Sequence, residues 1–144
     1  MKIPVEIFKT HPDAQIPQYE STGACAFDLS PIEDATIAPN EIVRLKTGLV
    51  ICVPENYTLI LAARSSTPKK YGVNIPQGFG IVDTDYCGPT DEILLQLRNF
   101  SNQTIQIKKG QRIAQGMFVP VIKAQFKIIE NISKPNRGGF GSTG

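Results

Sequence analysis

The stretch GIVDTDYCG, residues 80–88, ends an apolar run in acidic and aromatic side chains. The run stops at Asp83, and Asp85 and Tyr86 follow. A carboxylate at the rim of a strand can accept a proton from water, which is the task of a general base. The same residues suit an ordinary type I turn, because Asp favours turn starts. The two interpretations are compatible, since loops on a rigid scaffold often carry catalytic residues.

Two further stretches carry groups that bind anions or metals. In AARSSTP, Arg64 offers a planar donor fork that suits phosphate, and Ser65 and Ser66 precede a possible helix start. The alternative there is an ordinary helix cap beside a solvated arginine. In GACAFDLSP, Asp28 lies among small and apolar residues, where a bare carboxylate is costly unless it is paired. Its alternative role is a structural ion pair.

The last eight residues, RGGFGSTG, contain four glycines and one large apolar side chain. Consecutive glycine N–H groups can form an anion-binding nest, to which Arg137 and the hydroxyls of Ser142 and Thr143 add donors. Phe140 offers a ring that can stack on a flat ligand. A tail of this kind orders only when a ligand arrives, and the alternative is a disordered terminus.

Apolar residues alternate with other residues along much of the chain, which predicts β-strands, and no helical periodicity competes. The alternating runs are Ile3, Val5 and Ile7; Val43 and Leu45; Leu49, Ile51 and Val53; Ile93, Leu95 and Leu97; Ile105 and Ile107; and Ile122, Ala124, Phe126 and Ile128. Stretches rich in turn formers separate them, in a chain with 12 Gly and 11 Pro. One short helical turn is expected in RSSTPKKYG, with Ser65 or Ser66 as its cap. The prediction is an all-β domain: a sandwich, barrel or jelly roll.

Length, charge and cysteine content narrow the class of protein. The 144 residues, 41% of them hydrophobic, suit one domain with a real core. A formal charge of +2 is too small to indicate nucleic acid or a membrane surface, and no apolar run approaches the roughly 20 residues of a membrane helix. Cys25, Cys52 and Cys87 lack metal-site spacing, which predicts reduced thiols in a cytoplasmic or equivalent reducing compartment.

Taken in order, five segments resemble the motifs of the trimeric dUTPase family, the deoxyuridine triphosphate nucleotidohydrolases. They are ACAFDLSP with Asp28, ARSS with Arg64, GFGIVDTDYCG with Asp83 and Tyr86, GQRIAQGMF with Gln115, and RGGFGSTG. One such motif would be weak evidence, whereas five in order across an all-β chain of this size are a strong signal. The resemblance implies a jelly-roll-like β-sandwich or barrel of the β-clip type. It also implies a homotrimer whose active sites are shared between subunits.

The resemblance implies hydrolysis of dUTP to dUMP and pyrophosphate with Mg²⁺ as cofactor, which lowers dUTP and supplies dUMP for thymidylate synthesis. Asp83 is expected to activate the water that attacks the α-phosphorus. Mg²⁺ is expected to gather the three phosphates and to offset their charge. Asp28 is expected to hold metal-bound water rather than the metal itself.

The remaining roles implied by the resemblance concern the substrate. The residues expected to hold phosphate oxygens are Arg64, Ser65, Ser66 and Gln115. Those expected to face the uracil and the sugar are Gln77, Gly80, Ile81, Val82 and Tyr86. The segment from Gln77 to Val82 is expected to be a hairpin that reads uracil mostly with backbone groups, and Tyr86 to leave no room for a 2′-hydroxyl. The tail residues expected to close over the ligand are Arg137, Phe140, Gly141, Ser142 and Thr143.

Residues 1–133 are predicted to form the β domain, and residues 134–144 a flexible glycine-rich tail that closes the active site. Departures from the family pattern occur at four places. Ala63 replaces a usual Pro, and Gln77 stands where Asn is common. The fifth motif is two residues short, which makes Lys134 a second candidate for the phosphate contact of Arg137. The stretch CGPTDEILL is about three residues longer than usual.

Two other functions stay open. A dCTP deaminase, or a bifunctional deaminase–diphosphatase, shares this fold. Such an enzyme needs a glutamate that shuttles protons at the nucleobase, and Glu92 is the candidate. A non-enzymatic jelly-roll binding module explains the strands but not the five motifs. Ammonia release from dCTP identifies the first, and failure to hydrolyse any deoxynucleotide with Mg²⁺ favours the second.

Overall fold

The fold is described from a computed structural model, and the structure describes residues 2–141. These residues form eleven strands and one short helix. The elements are β1 (Glu6–Lys9), β2 (Phe27–Leu29), β3 (Ala35–Ile37), β4 (Ile42–Lys46), β5 (Leu49–Cys52), β6 (Tyr57–Ala63), α1 (Thr67–Tyr71), β7 (Val73–Asn74), β8 (Gly80–Val82), β9 (Leu94–Asn99), β10 (Ile105–Ile107) and β11 (Ala114–Pro120).

Within residues 2–141 the strands form four antiparallel sheets. The largest has the order β2-β11-β6-β8, and the next has the order β4-β9-β7. Two smaller sheets pair β1 with β5 and β3 with β10. The predicted all-β, jelly-roll-like architecture is confirmed.

The core consists largely of the residues whose alternation predicts strands. The predicted residues that are buried are Leu45, Leu49, Ile51, Val53, Ile93, Leu95, Leu97 and Ile107. Each buried side chain of this size contributes roughly 1.5–3 kcal/mol relative to exposure. Strand β6 was not predicted, because its sequence YTLILAA is a continuous apolar run. Such a run does not distinguish a strand that is covered on both faces from a helix.

The one helix has the predicted place and length. α1 begins after Ser66, whose side chain makes no cap hydrogen bond, and ends at Gly72. Gly72 has a φ of 67°, a left-handed conformation that glycine adopts without steric cost. The Thr67 hydroxyl donates to the carbonyl of Ile113 at 2.8 Å, which fixes the helix beside the start of β11.

The prediction of three reduced thiols is wrong for two of them. Cys52, at the end of β5, and Cys87, directly after Tyr86, are joined by a disulfide with their Cα atoms 5.0 Å apart. The sequence did not reveal this pair because 35 positions separate its members. Cys25 is a free, exposed thiol. The cytoplasmic setting stays a prediction.

The predicted strand at Ile122–Ile128 is also wrong for the single chain. β11 ends at Pro120, and no strand or helix follows through residue 141. Ile122, Phe126 and Ile128 are 99%, 93% and 96% exposed. A strand needs a partner for its backbone groups, and within the described residues this segment has none. The predicted domain boundary at residue 133 stays a prediction. The described residues contain no helix long and apolar enough to cross a membrane.

Candidate active site

Three of the predicted site segments meet on the largest sheet. Gln115 of β11 lies opposite Asp28 of β2 on one side and opposite Ala62 of β6 on the other. Arg64 follows the last residue of β6 directly. The strand register therefore brings the first, second and fourth motifs together, although they are far apart in sequence.

Asp28 is the centre of this group. Its Oδ1 lies 2.9 Å from Arg64 Nε, and its Oδ2 lies 3.2 Å from Arg112 Nη1. The Asp28 side chain is 13% exposed, so the carboxylate is largely withdrawn from water and compensated by two cations. Oδ2 is close to Arg112 but accepts no hydrogen bond of good geometry. We call Asp28, Arg64 and Arg112 the phosphate cluster; the ion pair considered as the alternative role of Asp28 is present in it.

Arg112 is a further candidate site residue that was not predicted from the sequence. Its Nη1 lies 2.8 Å from Glu20 Oε2, and its backbone carbonyl accepts a hydrogen bond from Arg64 Nη1 at 3.1 Å. The Glu20 carboxylate, with a smaller contribution from the charge of Asp28, raises the pKa of Arg112. The guanidinium therefore stays charged beside Asp28. Its place in GQRIAQG, three residues before Gln115, was the signal that could have found it.

Three further phosphate-binding candidates lie beside the cluster. Ser65 and Ser66 are exposed, between β6 and α1. Gln115 Nε2 donates to the carbonyl of Ala63 at 3.2 Å, which holds its amide beside Arg64. Hydroxyls, an amide and two guanidinium groups are suited to phosphate oxygens.

A second group of predicted residues lines a pocket of about 280 Å³. We call it the base pocket; its lining is Arg44, Leu61, Gln77, Gly80, Ile81, Val82, Asp83, Tyr86, Glu92, Ile93, Leu94 and Gln96. The Tyr86 N–H donates to the carbonyl of Asp83 at 3.3 Å, which closes a turn after β8. The Tyr86 hydroxyl donates to the carbonyl of Glu92 at 3.0 Å and so anchors the ring. The turn interpretation is thus confirmed, and Asp83 also lines this pocket; its catalytic role stays a prediction.

The segment before β8 is not the hairpin that was expected. β7 pairs with β9, whereas β8 pairs with β6, so the chain crosses between two sheets here. The crossing is a tight turn in which the Gly78 N–H donates to the carbonyl of Ile75 at 2.9 Å. Gly78 has a φ of 85°, which favours glycine. Gln77 lies within this turn and lines the base pocket.

Glu92, the glutamate required by the deaminase alternative, has a structural contact. Its Oε1 accepts a hydrogen bond from the backbone N–H of Gly48 at 2.5 Å. This contact ties the end of the Asp83–Glu92 loop to the start of β5.

A single chain does not bring the base pocket and the phosphate cluster together. Val82 pairs with Leu59 of β6, and Arg64 lies five residues beyond Leu59. At 3.3 Å per residue, Arg64 lies roughly 16 Å along the strand from Leu59 and roughly 10 Å from Leu61, which is at the near edge of the pocket. The tail does not bridge the gap, because Phe140 is fully exposed and open space surrounds Gly141. Ser142 and Thr143 lie outside the described residues.

A larger groove, of about 840 Å³, lies along β1 and contains none of the predicted site residues. Its lining includes Val5, Tyr19, Phe27 and Phe118. We regard the smaller base pocket as the candidate site, because it combines apolar walls with the convergent polar groups of Gln77, Asp83 and Tyr86.

The side chains of the candidate site fit a metal ion held through water better than one held by a cage of protein ligands. Across residues 2–141, no group of three or more His, Cys, Asp and Glu side chains is arranged to hold a metal ion. Asp28 Oδ2 is buried and accepts no hydrogen bond, so it can accept one from metal-bound water once a shift of Arg112 exposes it. Mg²⁺ often keeps several waters and is bound through one or two carboxylates and substrate phosphates.

Comparison with known proteins identifies the family. The dUTPase family model matches residues 12–144. The chain belongs to the dUTPase family. It is 39% identical to the deoxyuridine 5′-triphosphate nucleotidohydrolase of Nautilia profundicola over 97% of this chain and 98% of that protein.

Solved dUTPases share the fold. The crystal structure of the Streptococcus mutans dUTPase superposes with a TM-score of 0.76 at 29% identity, covering 85% of this chain and 98% of that one. A mutant dUTPase of Staphylococcus bacteriophage 80alpha, solved with dUpNHpp, superposes with a TM-score of 0.86 at 22% identity, covering 99% of both chains. The second likeness concerns the fold alone.

Proposed function

We propose that this chain hydrolyses dUTP to dUMP and pyrophosphate by attack of an Asp83-activated water on the α-phosphorus. That the chain is a dUTP diphosphatase follows from its family. The single observation that supports the mechanism is the Asp83–Tyr86 turn, which holds a carboxylate and an anchored ring at one pocket.

Asp83 is available as a base. It is exposed, and among the residues that the structure describes no side chain pairs with its carboxylate. A carboxylate without a cationic or donor partner remains free to accept a proton from water. In this proposal Asp83 orients the water, takes its proton and leaves hydroxide aimed at the α-phosphorus. The anchored Tyr86 ring supports the deoxyribose and excludes a 2′-hydroxyl.

The phosphate cluster supplies charge for the leaving pyrophosphate. Arg64 and Arg112 are two guanidinium groups beside one carboxylate, and Ser65, Ser66 and Gln115 add neutral donors. When bound, Mg²⁺ offsets the charge of the phosphates. Asp28 would hold it through water, with Oδ2 as the acceptor.

The separation of the two groups supports a homotrimer with shared sites. The base pocket of one copy would face the phosphate cluster of a second, which removes the gap of roughly 10–16 Å within one chain. The exposed apolar side chains after Pro120 support association as well, because Ile122, Phe126 and Ile128 lie bare in a single chain. The tail of a further copy would bring Arg137 and Phe140 over the ligand.

Product analysis tests the proposal. Purified protein with Mg²⁺ is given dUTP, dCTP, dTTP and UTP side by side, and pyrophosphate and ammonia are measured. We expect pyrophosphate from dUTP and no ammonia from dCTP. Ammonia from dCTP would identify a deaminase, and no pyrophosphate from any nucleotide would identify a binding module. The dUMP formed is expected to supply thymidylate synthesis.

A further inference from the structure

The base pocket contains three polar side chains that are joined by hydrogen bonds and that have no role in the hydrolysis proposed above. Arg44 of β4 and Gln96 of β9 lie opposite each other in the sheet register. Arg44 Nε donates to Gln96 Oε1 at 2.8 Å, and Gln96 Nε2 donates to Gln77 Oε1 at 3.1 Å. All three side chains line the pocket that contains Asp83 and Tyr86.

We call Arg44, Gln96 and Gln77 the relay, and the direction of its hydrogen bonds is set at Arg44. A guanidinium has donors and no acceptor, so Gln96 must turn its oxygen toward Arg44. The amide nitrogen of Gln96 then faces Gln77, which must present its own oxygen in return. The nitrogen of Gln77, with its two N–H groups, is left for whatever occupies the pocket. A charge on one strand thus decides which end of an amide another segment presents.

The orientation of the Gln77 amide must be fixed, because a freely rotating glutamine amide does not discriminate between a hydrogen-bond donor and an acceptor. The oxygen and nitrogen ends of an amide have nearly the same shape, and a half-turn exchanges them. An unrestrained Gln77 could therefore adapt to either kind of base edge. With Arg44 and Gln96 in place, the half-turned amide would set donor against donor at Gln96.

We propose that Arg44 and Gln96 are positioning residues that set base specificity by fixing the Gln77 amide with its N–H groups toward the base. The inference rests on the dUTP hydrolysis proposed above. Uracil carries a carbonyl oxygen at C4, which accepts from Gln77. Cytosine carries an amino group there, so two donors meet and the Gln77 donor is left unpaired, which is costly in a site built for a hydrogen bond.

Gln96→Glu is the decisive variant, because it nearly keeps the shape of the side chain and reverses the orientation of the Gln77 amide. A carboxylate still accepts from Arg44, but it has no N–H to donate to Gln77. The Gln77 nitrogen then turns toward Glu at position 96, and its oxygen faces the base. We expect the KM for dUTP to rise and the competitive inhibition constant of dCTP to fall. Their ratio should change roughly tenfold, about the value of one neutral hydrogen bond.

The added negative charge has a separate signature. Repulsion acts on the triphosphate, which dUTP and dCTP share, so it raises both constants and leaves their ratio unchanged. Arg44→Lys keeps a cationic donor and should preserve the ratio. Arg44→Met removes the fixed direction of the Gln96 amide and should narrow the discrimination between dUTP and dCTP. In a Gln77→Leu background, Gln96→Glu should no longer change the ratio.

An unchanged ratio in Gln96→Glu, or a parallel rise of both constants, would overturn the relay. Thermal melting of each variant shows that the comparison is made between folded proteins. If the unmodified protein releases no pyrophosphate from dUTP, the proposed function fails instead, and it does so before any variant is compared.

Discussion

Arg64 Nε lies 2.9 Å from Asp28 Oδ1, so a cation expected to hold phosphate is also paired with a carboxylate expected to hold metal-bound water. Asp28→Asn separates these contributions. Loss of the charge leaves Arg64 and Arg112 without their shared partner, and both are partly exposed, so we expect a loss of about 1 kcal/mol in the free energy of unfolding. The Mg²⁺ concentration for half-maximal activity should rise roughly tenfold, since metal-bound water loses a charged acceptor.

Urea unfolding and a Mg²⁺ titration measure the two effects. Asp34→Asn is the control, because Asp34 pairs with Lys108 on the surface, away from the sheet row that carries Gln115. An unchanged Mg²⁺ requirement in Asp28→Asn, with the stability loss present, would leave Asp28 as a structural ion-pair partner alone.

Asp83→Asn tests whether Asp83 is the general base of the reaction. The amide nearly keeps the shape of the carboxylate but cannot take a proton, and loss of a general base typically costs roughly 10² to 10⁴ in rate. The KM for dUTP should change far less than the turnover and should not rise, because the substitution removes a negative charge that repels the triphosphate. Steady-state kinetics at saturating dUTP measures this, with the neighbouring exposed Asp85→Asn as control. Turnover within a few-fold of the parent would place the base elsewhere.

Asp83 and Tyr86 could be predicted from the sequence because their relation is local: both lie in one turn after a short apolar strand. The pairing of Arg112 with Asp28 and that of Arg44 with Gln96 could not be predicted. Those contacts depend on which strands lie side by side, and 52 positions separate Arg44 from Gln96. The disulfide was missed for the same reason. The strand at Ile122–Ile128 failed differently, because its alternation is real but one chain offers it no partner.

Tyr86 is predicted to select the sugar with its ring rather than its hydroxyl. Tyr86→Phe loses the hydrogen bond to Glu92, worth about 1 kcal/mol, and should keep the preference for dUTP over UTP. Tyr86→Ala removes the surface under the deoxyribose and should narrow that preference by at least about tenfold. The measurement is kcat/KM for both nucleotides. Comparable use of UTP by the parent would refute the assignment of Tyr86 to the sugar.

The disulfide between Cys52 and Cys87 should stabilise the fold by closing a long loop. Cys52→Ser is expected to lower the free energy of unfolding by roughly 2–4 kcal/mol. Dithiothreitol should lower the Tm of the parent to that of the variant and should not affect the variant itself. Cys25→Ser, at the free thiol, is the matched control. If dithiothreitol leaves the Tm of the parent unchanged, Cys52 and Cys87 are reduced thiols, as predicted from the sequence.

The tail is predicted to complete a site in another copy of the chain. Removal of residues 137–144 should leave the Tm nearly unchanged, because Phe140 is fully exposed and contributes nothing to the core. Turnover should fall roughly 10²-fold, since the ligand loses its cover and its positioning.

Mixing tests where the tail acts. The truncated chain keeps Asp83 and lacks the tail, whereas Asp83→Asn keeps the tail and lacks the base. If one copy's tail closes another copy's site, mixed trimers contain sites with both parts, and co-refolding should restore part of the parent activity. If each site were built from one chain, no mixture could contain a complete site, and activity would stay at the level of the separate variants. Recovery that rises with the fraction of mixed trimers would establish sharing, and its absence in trimers shown by native mass spectrometry to be mixed would exclude it.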